Sequence, residues 1–149
     1  MEDLSRISEF AATRHDGERW SSKELEGTWA LLWWYPKAST PGCAAEGRAF
    51  ADHAPEFDEQ GCTVFGLSLD TPQDNRSFRD EHDMPFALLS VDNLVATAFG
   101  VLRAVDSEHA ERRSFLVRPD GSVAKAYNVA NPEDHTQDVL DDLDDLLGG

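Results

Sequence analysis

Of the two cysteines in the chain, Cys43 is the one placed to react. It closes the segment Tyr35-Pro36-Lys37-Ala38-Ser39-Thr40-Pro41-Gly42-Cys43, and Pro41 suits the first turn of a helix. Free backbone N–H groups and the positive end of the helix dipole stabilise a thiolate at such a position. Thr40 sets a hydroxyl beside the sulfur, able both to donate and to accept a hydrogen bond. Pro36 offers a rigid apolar wall. These parts suit cleavage of a peroxide: a thiolate attacks one oxygen while the other departs with developing negative charge. Donors already aimed at that charge supply the largest catalytic contribution. A guanidinium would complete the set, and Arg113, in Arg112-Arg113-Ser114-Phe115-Leu116-Val117, is the best candidate. No histidine near Cys43 in sequence offers itself as a general base, which counts against a Cys/His hydrolase.

A lone intracellular cysteine is most often a small buried hydrophobe; it is the Pro, Thr and helix-start context that reverses this reading. That context depends on the elements around it. Thr28–Tyr35 is a nearly continuous apolar run, as expected of a central strand buried on both faces. Pro36 ends it, and a helix is expected from Pro41 to about Glu59, capped by Ser39 or Thr40 and stopped by Gly61. Thr63–Leu69 reads as a second buried strand, Asp70-Thr71-Pro72 as the opening of a helix reaching about His82, and Phe86–Val91 as a third strand. Leu94–Gly100 is a short helix. Arg113–Arg118 and Ser122–Asn128 form a hairpin around Pro119-Asp120-Gly121. Asn131-Pro132 caps a last helix whose apolar stripe is Val139, Leu140, Leu143, Leu146 and Leu147.

An N-terminal hairpin is expected from Ile7–Thr13 and Glu18–Ser21 about Asp16-Gly17. Strand–helix–strand units imply parallel pairing. The expected architecture is one α/β domain spanning 1–149: a mixed central sheet flanked by helices on both faces. Cys43 then lies beyond the C-terminal end of a central strand, where open α/β sheets place their ligand crevice.

Composition narrows the partners. The 149 residues carry 29 acidic and 13 basic side chains, a formal net charge of −16. Such a surface repels nucleic acid and anionic lipid, which need Lys/Arg clusters. With 3 lysines against 10 arginines, it also resembles proteins adapted to high salt, so a halophilic, acidic protein is the favoured explanation. The acidic N-terminus lacks the basic start and apolar run of a secretory signal, and no stretch approaches a membrane span. The expected location is cytoplasmic. The five histidines (His15, His53, His82, His109, His135) are scattered among acidic residues and read as solvated. No metal and no other cofactor are expected. Oligomerisation is read as monomer or weak homodimer, since no arm for subunit exchange is legible.

Pro36-x-x-x-Thr40-x-x-Cys43 resembles the active-site signature of the peroxiredoxins, and Tyr35-Pro36-Lys37 through Cys43-x-x-Glu46 is similar to their bacterioferritin comigratory protein (PrxQ) subfamily. The likeness continues in order through Gly66-Leu67-Ser68, Asp70-Thr71, Arg113-Ser114-Phe115-Leu116-Val117 and Pro119-Asp120-Gly121. The resemblance implies a thioredoxin-like fold and an antioxidant thiol peroxidase reducing hydrogen peroxide and organic hydroperoxides. Cys43 would pass through a sulfenic acid, Thr40 bind the peroxide, Pro36 shield the sulfenate and Arg113 activate the thiolate, Arg112 being the weaker rival because the match places the family arginine directly before Ser114. Glu46 matches a helix glutamate that orients the arginine, though it could equally be a first-turn partner of the dipole.

The chain departs from the subfamily at Arg48, where many members carry a resolving cysteine, and 71–83 contains no cysteine either. Cys62 belongs at the N-terminal edge of the sheet, about 23 Å of strand away from Cys43's end, and reads as a buried structural residue. The expectation is a one-cysteine cycle with an external thiol reductant: thioredoxin, a glutaredoxin-like protein or a small thiol; a disulfide between two subunits through Cys62 is the minority alternative. The competing reading is a non-catalytic peroxide sensor or redox-dependent binding module on the same fold. A disulfide reductase ranks third, because that chemistry needs Cys-x-x-Cys and position 46 is glutamate.

Overall fold

The computed structural model describes residues 5–102, 104, 107–129 and 132–148. Seven strands form one sheet: β1 (Ala11–Arg14), β2 (Arg19–Ser21), β3 (Trp29–Trp34), β4 (Cys62–Ser68), β5 (Ala87–Ser90), β6 (Arg113–Val117) and β7 (Val123–Asn128), in the order β2-β1-β5-β4-β3-β6-β7. The β3–β4 and β4–β5 pairs are parallel and all others antiparallel, so β3, β4 and β5 run together and the hairpins close both edges, as expected. The N-terminal hairpin turns at Gly17, whose φ of +86° is open to glycine without strain.

The helices are α1 (Pro41–Asp52), α2 (Ala54–Glu59), α3 (Pro72–Glu81), α4 (Asn93–Phe99) and α5 (Pro132–Leu146). The single helix expected from Pro41 to Glu59 is broken at His53 (φ −100°, ψ 5°). Pro55 is the cause: it has no N–H to donate and its ring crowds the carbonyl one turn earlier. The expected Asn131 cap of α5 lies outside the described residues.

Strand alternation divides the core in two. Leu31, Trp33 and Tyr35 point to the face packed by Phe50 of α1, Phe57 of α2, Phe78 of α3 and Val139, Leu140 and Leu143 of α5. Ala30, Leu32 and Trp34 point to the other, with Ala96 and Phe99 of α4. The sheet is therefore covered on both faces, which is why β3 reads as a continuous apolar run. Trp33 fills the first core, its ring 5.5 Å from Phe50 and 4.6 Å from Tyr35. Gly66 leaves it that room, since a Cβ there would meet Leu88 at 2.6 Å and Trp33 at 3.0 Å. Leu146 and Leu147, expected in the α5 stripe, are exposed: the apolar face ends at Leu143. No helix among the described residues is long and apolar enough to cross a membrane.

Two histidines depart from the solvated reading. His15 is buried against β5: its amide donates to the Leu88 carbonyl at 2.9 Å and its Nδ1 accepts from the Leu88 amide at 3.3 Å. His135 is buried between Phe50 and Tyr127, with Nε2 2.9 Å from Ser114 Oγ. Asp16 beside His15, and Asp134 and Asp138 beside His135, are exposed, so local composition misreads the two histidines.

Candidate active site

β3 delivers the chain to its C-terminal end at Trp34, and the Tyr35 amide still bonds Leu67 of β4 at 3.1 Å. The chain then loops through Pro36–Thr40 and enters α1, with Pro41 in its first turn. Thr40 is the N-cap residue by backbone geometry (φ −89°, ψ 154°) but makes no side-chain cap. Its hydroxyl donates instead to the Lys37 carbonyl at 2.8 Å. The amides of Gly42 and Cys43, which the ladder of a helix cannot satisfy, are thereby left to whatever sits at the helix mouth. Thr40 Oγ1 keeps its lone pairs for a further donor. Ser39 holds φ at +63°, an uncommon conformation for a residue with a Cβ.

Cys43 is fully buried and is a free thiol. Arg112 Nη2 donates to its Sγ at 3.4 Å. The same guanidinium donates from Nη1 to Glu46 Oε1 at 2.9 Å. Glu46 lies on α1 almost one turn after Cys43, so one arginine meets both side chains. Burial pushes the Glu46 carboxyl up to about 7, against the opposing pull of Arg112. Its Oε2 has no hydrogen-bond partner among the described residues. Arg112 stays protonated well beyond neutrality: burial works against its charge, but Cys43 and Glu46 more than offset that.

The expectation for Arg113 is corrected here, because Arg112 is the residue beside the thiol. Adjacent residues of a strand face opposite ways. Ser114 and Leu116 of β6 face the α1 side, Leu116 within the same cluster as Cys43, and Arg112 extends that parity. Arg113 shares parity with Phe115 and Val117 in the opposite core, where its guanidinium lies 5.2 Å from the Phe115 ring centroid. The other expected residues come together: Pro36 and Thr40 in the loop, Cys43 and Glu46 on α1. Gly42, unremarked in the sequence, matters too. A Cβ there would meet Arg112 Nη2 at 2.9 Å, so the end of that side chain would have to shift from its present place beside the sulfur.

A groove of about 580 Å³ opens beside the site, lined by Pro36, Ala110, Arg112, Asn128 and Val129 among others. The arginine that touches Cys43 forms one of its walls. Cys62 is remote, paired in register with Trp29 at the start of β3 while the site lies past Trp34 at its end. Burial pushes the Cys62 thiol up to about 12, which makes it a poor nucleophile. Among the described residues, no group of three or more His, Cys, Asp or Glu side chains could hold a metal ion.

Residues 5–126 match the AhpC/TSA family. The chain is 31% identical over 139 residues to the putative peroxiredoxin bcp of Coxiella burnetii, covering 88% of this chain and 91% of that protein. It is likewise 31% identical over 139 residues to peroxiredoxin Bcp of Escherichia coli K12, covering 88% of each. Among solved structures, peroxiredoxin Q of Xanthomonas campestris superposes with a TM-score of 0.85 at 30% identity, over 91% of this chain and 90% of that one. Peroxidoxin BcpB of Mycobacterium tuberculosis gives a TM-score of 0.89 at 26% identity over 98% of each. A thiol at a bare helix N-terminus, held by an arginine at the end of a thioredoxin-like sheet, thus has relatives along nearly its whole length. The chain belongs to the AhpC/TSA family and is a thiol peroxidase of the Bcp/PrxQ group of peroxiredoxins.

Proposed function

We propose that Cys43 is the peroxide-reducing residue and that it works in a one-cysteine cycle. The observation that carries this reading is the Arg112–Cys43 contact at 3.4 Å at the mouth of α1. The Cys43 thiolate attacks the terminal oxygen of ROOH. An S–O bond forms, the O–O bond breaks, and the hydroxyl stays on sulfur as Cys43–SOH. The departing RO⁻ carries the bonding electrons and takes a proton from solvent. Arg112 and the Gly42 and Cys43 amides are the donors available to the charge as it moves from sulfur to the leaving oxygen, while Thr40 Oγ1, its proton given to the Lys37 carbonyl, accepts from the peroxide O–H. Pro36 walls the groove beside them, and Glu46 positions Arg112.

An external thiol then attacks the sulfenic sulfur, releasing water and leaving a mixed disulfide, which a second thiol resolves to Cys43–SH and an oxidised disulfide. Distance argues against Cys62 of the same chain in that role. The seven residues of β4 span about 23 Å, whereas a disulfide needs Cα atoms within about 7 Å. The substrates are hydrogen peroxide and organic hydroperoxides; the reductant is thioredoxin, a glutaredoxin-like protein or a small thiol. The protein acts in the cytoplasm as a monomer or weak homodimer. Its net charge of −16 suits a salt-rich interior that screens self-repulsion.

The test is one equivalent of hydrogen peroxide added to the reduced protein with a sulfenic-acid trap, read by intact mass. Rapid trapping is expected in wild type and Cys62→Ser and absent in Cys43→Ser. A Cys62-dependent loss of two hydrogens would restore a two-cysteine cycle. No fast reaction at Cys43 would favour a sensor or binding module instead.

A further inference from the structure

The loop Pro36–Thr40 presents the peroxide-binding groups, yet its backbone runs through an unfavourable conformation at Ser39 (φ +63°). Such a conformation persists only where the surroundings impose it. Two attachments do so. At the upstream end, the buried Tyr35 hydroxyl donates to Asn75 Oδ1 at 2.5 Å. Asn75 also accepts from Ser68 Oγ at 3.2 Å and donates to Ser90 Oγ at 2.9 Å, so the tyrosine is anchored to α3, β4 and β5 at once. At the downstream end, the Ala38 amide donates to Asp70 Oδ2 at 2.8 Å, immediately before the strained residue.

Asp70 precedes α3 but does not cap it. Thr71 does, its Oγ1 accepting from the Asp74 amide at 3.1 Å. The Asp70 amide in turn donates to Ser68 Oγ at 3.2 Å, fixing the aspartate to the same buried network that holds Tyr35. The Tyr35 hydroxyl is held far above its usual range, first by burial and then by the charges of Asp70 and Cys43, so it remains a donor to Asn75.

We propose that Asp70 is a positioning residue for peroxide reduction: by gripping the Ala38 amide it sets the loop that carries Pro36 and Thr40 over Cys43. The proposal rests on Cys43 being the attacking thiol. It distinguishes two reactions of the same sulfur. Alkylation by a small electrophile needs only an accessible thiolate. Peroxide cleavage needs the Thr40 hydroxyl and the amides in register, and misplacement by about 1 Å costs about 100-fold.

The experiment compares, at one pH, the rate constants of reduced protein with hydrogen peroxide and with iodoacetamide, for wild type, Asp70→Ala and Asp70→Asn. Urea midpoints establish that each is folded. Asp70→Ala is expected to lose roughly 10- to 100-fold in the peroxide rate while alkylation stays within about 3-fold. Asp70→Asn, which keeps an acceptor for Ala38 and drops the charge, is expected to restore most of the loss. Should Asp70→Ala unfold, Asp70→Glu carries the same comparison, since it keeps the charge and shifts the acceptor by one methylene. Equal loss in both reactions, equal loss in Ala and Asn, or an unchanged peroxide rate would each overturn the proposal. Absence of a fast peroxide reaction in wild type would instead overturn the assignment of Cys43.

Discussion

Replacing Arg112 by glutamine removes the charge nearest the reacting sulfur, and its size follows from the geometry. Two unit charges 3.4 Å apart interact by about 5 kcal/mol at an effective dielectric near 20, and by about 1 kcal/mol in bulk water. The Arg112 side chain is 19% exposed, so screening places the useful value between those limits, at about 2–3 kcal/mol. That corresponds to a loss of about 30- to 150-fold in the peroxide rate constant. The matching control is Arg113→Met, which removes the neighbouring guanidinium from the opposite face of the sheet. Its peroxide rate should stay within about 3-fold while its stability falls, because it loses the contact with Phe115. Stopped-flow tryptophan fluorescence on reduced protein, or competition against a reference peroxidase, measures both. A larger loss in Arg113→Met than in Arg112→Gln, with both variants folded, would refute the parity reasoning that separates the two arginines.

Gly42→Ala should strengthen the helix by up to about 1 kcal/mol, yet slow peroxide reduction about 10-fold, because the new methyl meets Arg112 Nη2 at 2.9 Å. Urea melts and peroxide kinetics on one preparation separate these opposite signs. His135, pushed down to about 4 by burial, binds its proton less readily folded than unfolded. Its contribution is therefore present above pH 6.5 and lost as pH falls toward 4, by about 3 kcal/mol; His135→Gln should flatten that slope in urea midpoints. Glu46 has the reverse sign, since its folded value of about 7 lies above the ordinary 4.5. Its contribution is present below 4.5 and lost as pH rises through 7, so Glu46→Gln should remove a decline of up to about 3 kcal/mol over that window.

Much of the fold is legible in the residue pattern because β3 and β4 are apolar on both faces and their bounding Pro and Gly residues punctuate them plainly. The Cys43 neighbourhood is legible for a different reason: Pro36, Thr40, Pro41 and Cys43 are close in sequence, so local chemistry defines them. The arginine is 69 residues from the sulfur it touches, and there a single step in sequence decides which face of the sheet a side chain reaches. Arg113 shares parity with Phe115 and Val117 in one core, Arg112 with Ser114 and Leu116 in the other. That alternation is visible beforehand, but which core contains Cys43 is settled only by where α1 packs. The break at His53 was within reach, since Pro55 stands in the sequence. The burial of His135 was not: it depends on α5 packing against α1 and β7, which no local feature of an acidic helix announces.

The diverted hydroxyl of Thr40 has a consequence for the lifetime of the catalyst. A side-chain cap would have closed the mouth of α1 to anions; without one, the amides that favour a thiolate equally favour any other anion built on that sulfur. If a second peroxide reaches Cys43–SOH before a thiol does, the product is a sulfinate, whose oxygens suit the same amides and the same guanidinium. The cradle thus does not discriminate between the resting thiolate and an irreversibly overoxidised one. In the proposed one-cysteine cycle, how many turnovers a molecule completes is governed by competition between reductant and peroxide for the Cys43 sulfenic sulfur.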